Sequence, residues 1–273
     1  MEQPARIHAR PKQSLGQNFL IDDNIARNIV RDLRLHRDDV VLEIGPGYGA
    51  LTKYLTDRVR RFIAVEIDRR VAEELRRRYD PQQVTILHED FLETDLGKWS
   101  SKYRAEIRIV GNIPYHLTSP ILFKIFDAHS CIRDITLTMQ REVAQRLVAR
   151  PATKEYGILS VFSQFYGVPK ILFSVSPNCF YPKPKVTSAV IRIDLEKARR
   201  YRVDESLFRV VVRTAFGKRR KTLRNNLKFL PFEQKTVERV LSTIGAPIAV
   251  RAEELTVEQF VQVTNGIQRC QTG

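Results

Sequence analysis

The chain has 273 residues, 43% of them apolar and 28% charged, with a formal net charge of +15 and a pI near 10.0. That is enough apolar material for a full core and a second, smaller one, and too much for a disordered polyelectrolyte. The charge density, and the lack of any run near the roughly 18–20 apolar residues that a membrane span needs, exclude a membrane bundle.

In chain order, Asp22 is placed to cap a helix whose apolar positions Ile25, Ile29, Val30 and Leu33 share one face, with Arg27, Arg31 and Arg34 on another. Val40–Ile44, Phe62–Glu66, Val84–His88 and Ile107–Gly111 then read as buried strands, with helical stretches at Leu51–Thr56, Arg69–Tyr79 and Pro120–Ala128. Strand Ile135–Met139 and helix Glu142–Ala149 follow. Short apolar strands alternating with helices predict a parallel, doubly wound α/β sheet, whose ligands sit beyond the carboxyl ends of the strands.

After the strand-like segments Ile171–Val175 and Ala189–Asp194 the period becomes helical from Asp204. Phe208, Val211, Val212, Ala215 and Phe216 form one apolar face, ended by Gly217. In Lys218–Leu230 the spacing sets Arg220, Arg224 and Lys228 one turn apart beside Leu223, Leu227 and Leu230. The expected organisation is a first domain over 1–196 and a small helical domain over 197–273.

The basic excess is concentrated in the second part. Residues Ile191–Gly273 hold 17 basic and 9 acidic residues, and from Arg199 to Lys228 there are 11 basic residues against Asp204 and Glu205 alone. Such a field suits a polyanion, whose condensed counterions Lys and Arg replace. A solvated basic face is the other reading. A nucleic acid is favoured over an anionic membrane, because no segment pairs this charge with an aromatic anchor face. The three cysteines are far apart and without CxxC spacing, so neither a disulfide framework nor a zinc site is expected, and a reducing, cytoplasmic setting fits. The first dozen residues lack an apolar core of the kind a secretory signal carries; their basic, acid-poor character leaves an organellar leader as the alternative.

Four motifs fall at successive strand ends. Glu43-Ile-Gly45-Pro-Gly47-Tyr-Gly49 follows the first strand; its glycines permit a sharp turn and close approach to a ligand. Their every-second-residue spacing departs from the Gly-x-Gly-x-x-Gly of nicotinamide-cofactor sites, and Pro46 removes a donor, so a nucleoside suits the turn better than a pyrophosphate. Taken alone, the motif also reads as a plain tight turn. Glu66 ends the next strand, where a carboxylate can accept both hydroxyls of a ribose, while Asp68 reads as a helix cap. Asp90-Phe91 follows the third strand and offers a carboxylate and a ring to an adenine. Asn112-Ile113-Pro114-Tyr115 follows the fourth. An amide oxygen and a proline-fixed carbonyl there can accept two hydrogen bonds from an exocyclic amine, freeing its lone pair, with Tyr115 as a stacking face. Each motif alone is weak; the ordered set points to a nucleoside site.

Gly45–Gly49, Glu66, Asp90 and Asn112–Tyr115 together resemble the S-adenosylmethionine-dependent N6-adenine methyltransferases. Gln13-Ser-Leu-Gly-Gln-Asn-Phe-Leu20, Arg141–Leu147 and Phe180-Tyr-Pro-Lys-Pro-Lys-Val-Thr-Ser188 narrow the likeness to the ribosomal RNA adenine dimethyltransferases of the KsgA type, over nearly the whole chain. The resemblance implies a Rossmann-like sheet that binds S-adenosylmethionine, followed by a helical RNA-binding domain. It implies that Asn18, Leu20, Gly45, Gly47, Glu66, Asp90 and Asn112 hold the methyl donor. Asn112, Pro114, Tyr115 and Phe180 would hold the target adenine, with Phe180 stacking on its second face. Arg220, Arg224 and Lys228 are the candidate phosphate contacts. The implied reaction dimethylates two adjacent adenosines near the 3′ end of small-subunit ribosomal RNA within an immature subunit, by a cytoplasmic monomer that needs no metal and no membrane. The competing readings are a large-subunit RNA methyltransferase of the macrolide-resistance type, a mitochondrial relative, and a non-catalytic assembly factor. The last would be marked by damage to the donor glycines, Glu66 or Asn112, all of which are intact.

Overall fold

A computed structural model describes residues 12, 16–195, 201–218, 220–230, 234–247 and 249–272. Along the chain the elements are β1 (Phe19–Leu20), α1 (Asp23–Asp32), β2 (Val40–Ile44), α2 (Thr52–Leu55), β3 (Arg61–Glu66), α3 (Arg69–Arg78), β4 (Val84–His88), α4 (Leu96–Tyr103), β5 (Ile107–Asn112) and α5 (Thr118–Asp127). There follow β6 (Ile132–Gln140), α6 (Arg141–Leu147), α7 (Ile158–Tyr166), β7 (Val168–Val175), β8 (Phe180–Tyr181), β9 (Ser188–Asp194), α8 (Glu205–Ala215), α9 (Leu223–Leu227), α10 (Gln234–Thr243) and α11 (Val257–Thr272). They group into two units, Met1–Ala144 with Pro169–Glu196, and Gln145–Val168 with Lys197–Gly273.

The first unit is built on a seven-stranded sheet of order β4-β3-β2-β5-β6-β9-β7. β2 pairs in parallel with β3 and β5, β3 with β4, and β5 with β6, whereas β9 runs antiparallel to β6. The α/β class and the first four strands match the sequence pattern, because central parallel strands must be apolar on both faces. Val40, Leu42, Ile63, Ile109 and Ile135 are all buried. The direction of the crossovers reverses between β2 and β5, which opens a crevice at their carboxyl ends. The two strands approach closely there: a Cβ on Gly111 would meet the Ile44 carbonyl at 2.6 Å.

Asp22 caps α1 as expected, its carboxylate accepting the Asn24 and Ile25 N–H groups at 2.9 and 3.1 Å. α4 is not evident in the periodicity, since only Leu96 and Trp99 of it are buried; Asp95 starts it by accepting the Lys98 N–H at 2.9 Å.

Opposite the crevice, at the start of β5, the 3%-exposed Arg108 side chain bonds Asp134 through Nε at 3.0 Å and Nη2 at 2.8 Å, and Asp39 at 2.7 Å. It also donates to the Leu33 and Arg34 carbonyls at 2.5 and 3.3 Å, satisfying the end of α1. Arg192 adds a further ion pair to Asp134 at 2.5 Å.

In the second unit, Phe208 of α8 is fully buried and stacks on Phe165 of α7 with ring centroids 4.0 Å apart. Tyr156 donates to the Leu255 carbonyl at 2.8 Å. These contacts explain why Gln145–Val168 groups with the C-terminal helices although it precedes the last strands of the sheet: α7 is apolar on nearly all sides and needs helical partners. The boundary expected at Lys197 lies outside the described residues.

The helix expected over Lys218–Leu230 is shorter. Thr222 is extended and its hydroxyl accepts the Asn225 N–H at 3.4 Å, so α9 begins only at Leu223; it ends at Leu227. Arg220 therefore sits in the preceding turn and Lys228 at the helix end, not on one helical stripe with Arg224.

Candidate active site at the carboxyl ends of the strands

Gly45, Gly47 and Gly49 follow β2 with φ of +61°, +54° and +79°, a left-handed run that side chains resist. Nothing lies within 4 Å of where a Gly45 Cβ would be, whereas one on Gly47 would strike the Phe19 ring at 2.7 Å. The turn thus opens towards a cavity of about 770 Å³ on one side and is closed by Phe19 on the other.

Glu66 at the end of β3 is 3% exposed and lines this cavity. Its carboxylate accepts the Asp68 N–H at 2.9 Å and the Gly47 N–H at 3.2 Å, which ties the glycine turn to β3. Burial pushes its pKa up, against those two hydrogen bonds. Asp68 caps α3, as expected, through the Arg70 N–H at 3.1 Å; the Arg70 guanidinium holds its carboxyl down at about 2. Asp90, after β4, anchors its loop by accepting the Leu92 N–H at 2.8 Å and also faces the cavity, with Phe91 buried beside it.

Asn112 ends β5. Its amide nitrogen donates to the Asn18 carbonyl at 2.7 Å, which turns the amide oxygen away from that contact. The Tyr115 hydroxyl lies 2.6 Å from the buried Ser188 hydroxyl of β9, fixing the ring on the cavity wall. Pro114 also lines the cavity, but its own carbonyl accepts the Leu117 N–H at 3.1 Å. The carbonyl whose orientation the proline restricts is that of Ile113.

The structure therefore gathers Asn18, Leu20, Gly45, Gly47, Glu66, Asp90, Asn112, Pro114 and Tyr115 around one cavity of the first unit. Phe180 is different. β1 and β8 form a two-stranded ribbon with Leu20 opposite Phe180, and the Phe180 ring, 3% exposed, belongs to the apolar core with Val175 and Val190. It is not on the cavity wall; its neighbour Tyr181 is 53% exposed instead. Alternation along the ribbon sends the larger apolar surface inward, which a reading of the loop's prolines does not reveal.

Three roles are not evident from the sequence, although Glu43 and Asn18 themselves stand within its motifs. The Asn18 backbone orients Asn112, and Ile67, an apolar residue 44% exposed between two acids, lines the cavity beside Glu66. The third is Glu43, 2% exposed, which accepts the Thr52 hydroxyl at 2.7 Å and whose carboxyl burial pushes up to about 8, assisted by Glu66. Because the folded state keeps this proton and the unfolded chain releases it near 4.5, stability contributed here is present below about pH 4.5 and lost as pH rises towards 8. Glu43→Gln keeps an acceptor for Thr52, so thermal denaturation is expected to show equal Tm values at pH 5 and a variant several degrees more stable at pH 8. Parallel Tm curves for the two proteins across that range would refute this.

Among the described residues no group of three or more His, Cys, Asp and Glu side chains is placed to hold a metal ion, and no helix is long and apolar enough to cross a membrane.

The sequence matches the family model described as ribosomal RNA adenine dimethylase over residues 8–269. The chain belongs to that family. The family suggested by the motifs is thus the one found. Relatives within it include the ribosomal RNA small subunit methyltransferase A of Chlorobium phaeobacteroides, 48% identical over 250 residues, covering 92% of this chain and 91% of that protein. The protein of the same name from Nitrosospira multiformis is 40% identical over 264 residues, 96% of this chain and 98% of that protein. Among solved structures, a dimethyladenosine transferase from Plasmodium falciparum shares the fold with a TM-score of 0.79 at 22% identity, over 92% of this chain and 98% of that one. The 23S rRNA methyltransferase ErmE superposes with a TM-score of 0.68 at 26% identity, over 92% of this chain and 100% of that one. For this dimethylase-family member the cavity at the strand ends is the candidate catalytic centre.

Proposed function

We propose that this chain transfers methyl groups from S-adenosylmethionine to N6 of two adjacent adenosines near the 3′ end of small-subunit ribosomal RNA, giving N6,N6-dimethyladenosine, and acts as a cytoplasmic monomer on an immature subunit. The observation that carries this reading is the single cavity on which a glycine turn, two nucleoside-type carboxylates and an oriented Asn112 amide converge. Relatives at 48% and 40% identity named for the small subunit support the choice of RNA.

The residues fit the donor. The space left by the absent Gly45 Cβ admits a ligand against the backbone, Glu66 presents a carboxylate to the ribose hydroxyls, and Asp90 presents one to the adenine amine. Bound there, S-adenosylmethionine supplies a methyl group already activated by its sulfonium, so alignment is what the protein adds. The Asn112 amide oxygen and the Ile113 carbonyl accept the two N–H bonds of the target amine. This draws nitrogen towards tetrahedral geometry and concentrates its lone pair. Tyr115, held by Ser188, offers its ring to the base. Phe180 acts here by holding Leu20 and the β1 segment that orients Asn112, not by stacking. In the second unit Arg220 and Lys228 are exposed and serve as phosphate contacts, whereas Arg224 is already paired with Glu238 at 2.6 Å.

Labelled S-adenosylmethionine incubated with small subunits lacking the two dimethyladenosines tests the reading. Label is expected as N6,N6-dimethyladenosine in small-subunit RNA only. Transfer to large-subunit RNA would shift the protein to the resistance-type reading, and tight RNA binding without transfer would support an assembly factor. Glu66→Gln is expected to weaken donor binding roughly ten- to a hundredfold in calorimetry, the worth of hydrogen bonds to a charged acceptor. An unchanged Kd would remove Glu66 from the donor site.

A further inference from the structure

Of the large apolar side chains exposed in the described residues, Phe229 is the most open, at 68%. It lies just after α9, in the segment where basic residues are densest. The Lys218 ammonium sits 5.0 Å from the centre of its ring, and Lys228 and Arg220 are exposed in the same turns. The fold has no need of this ring, since Leu223, Leu227 and Leu230 of the same segment already fill the core.

The arrangement is built rather than loose. Asn226, 1% exposed, donates through its amide nitrogen to the Ala215 carbonyl at 2.6 Å and the Lys218 carbonyl at 3.1 Å. It thereby pins the end of α8 to α9. The Phe229 N–H returns to the Asn226 carbonyl at 3.3 Å, so one buried residue sets both the lysine and the ring.

An exposed aromatic ring beside one cation, in a segment with further exposed cations, matches a nucleobase with its phosphates: the ring stacks on a base and the cations neutralise the backbone. A paired helix hides its base faces and offers only phosphates and hydroxyls, so the ring selects unpaired RNA. We propose that Phe229, with Lys218 and Lys228, is a stacking platform for an unpaired base of the RNA that the C-terminal unit binds. The proposal deepens the RNA-substrate reading and rests on it.

Binding of a fluorescein-labelled 20-nucleotide single-stranded RNA, and of a duplex of equal length, to the full chain tests this by anisotropy over a salt series. Phe229→Leu is expected to weaken single-strand binding roughly ten- to a hundredfold, with the duplex, the salt slope and Tm unchanged. Phe229→Trp should keep or improve affinity, and Lys228→Ala should instead reduce the salt slope by about 0.7. Wild-type single-strand affinity in Phe229→Leu, or equal losses on single strand and duplex, overturns the platform while leaving the RNA reading in place. Loss of self-association or of binding to anionic phospholipid vesicles in that variant, with RNA binding intact, also overturns it. A wild-type chain that neither binds nor methylates RNA would remove both readings.

Discussion

Replacing Asn112 with alanine is expected to lower kcat for methyl transfer by about 10²–10³-fold, the usual loss when one preorganised polar group at a reacting centre is removed. Affinity for S-adenosylmethionine should stay within about threefold. The expectation follows from the 2.7 Å bond between the Asn112 nitrogen and the Asn18 carbonyl, which leaves the amide oxygen as the group that can face the target amine. Asn112→Asp is predicted to be as damaging despite its similar size. A carboxylate cannot donate to Asn18, and two acceptors would then confront one another. Single-turnover transfer with saturating RNA, beside donor calorimetry, separates the two roles open to Asn112. A variant that keeps its rate but loses donor affinity would place this side chain with the donor instead.

Arg108→Met should cost about 3–5 kcal/mol of stability, the range for removing one partner of a buried ion pair. The loss is large because one guanidinium serves four acceptors: Asp134, Asp39 and the Leu33 and Arg34 carbonyls. Asp134 is 1% exposed, and although Arg192 remains beside it, its Arg108 hydrogen bonds cannot be replaced by water. Urea denaturation would read the change directly. Adding Asp134→Leu to Arg108→Met removes the stranded charge and is expected to recover part of the stability, an interaction that a double-mutant cycle measures. Additive losses in that cycle would mean that the pair is not coupled. Activity per folded molecule should be unaffected, since the network lies at the opposite end of β5 from Asn112.

Much of the site was legible because its signals are local. Val40–Ile44 and Val84–His88 coincide with the observed strands, and the glycines, Glu66, Asp90 and Asn112 follow directly at strand ends. Once parallel strands are assigned, those ends must share one edge of the sheet, so linear order alone brings the residues together. Phe180 and the C-terminal basic residues were less legible. Whether an aromatic in a proline-rich loop faces a cavity or a core depends on its partner across the ribbon, and Leu20 lies far away in sequence. Spacing of three or four residues suggested one helix for Arg220, Arg224 and Lys228, but the capping hydroxyl of Thr222 starts that helix only at Leu223, after Arg220, and Glu238 takes up Arg224.

By itself, then, the sequence determined the α/β class, the order of the strands that carry the nucleoside motifs, and the family to which their combination belongs. Those properties rest on periodicity, glycine conformation and residue type, which each segment expresses on its own. The tertiary structure alone decided which atoms are held and which are free: the Asn112 amide turned by Asn18, the buried Glu43 that keeps its proton, the Phe180 ring taken into the core and the Phe229 ring left out of it. Burial and hydrogen-bond satisfaction are set by groups distant along the chain, so they come into existence only when the sheet and the helices have closed on one another.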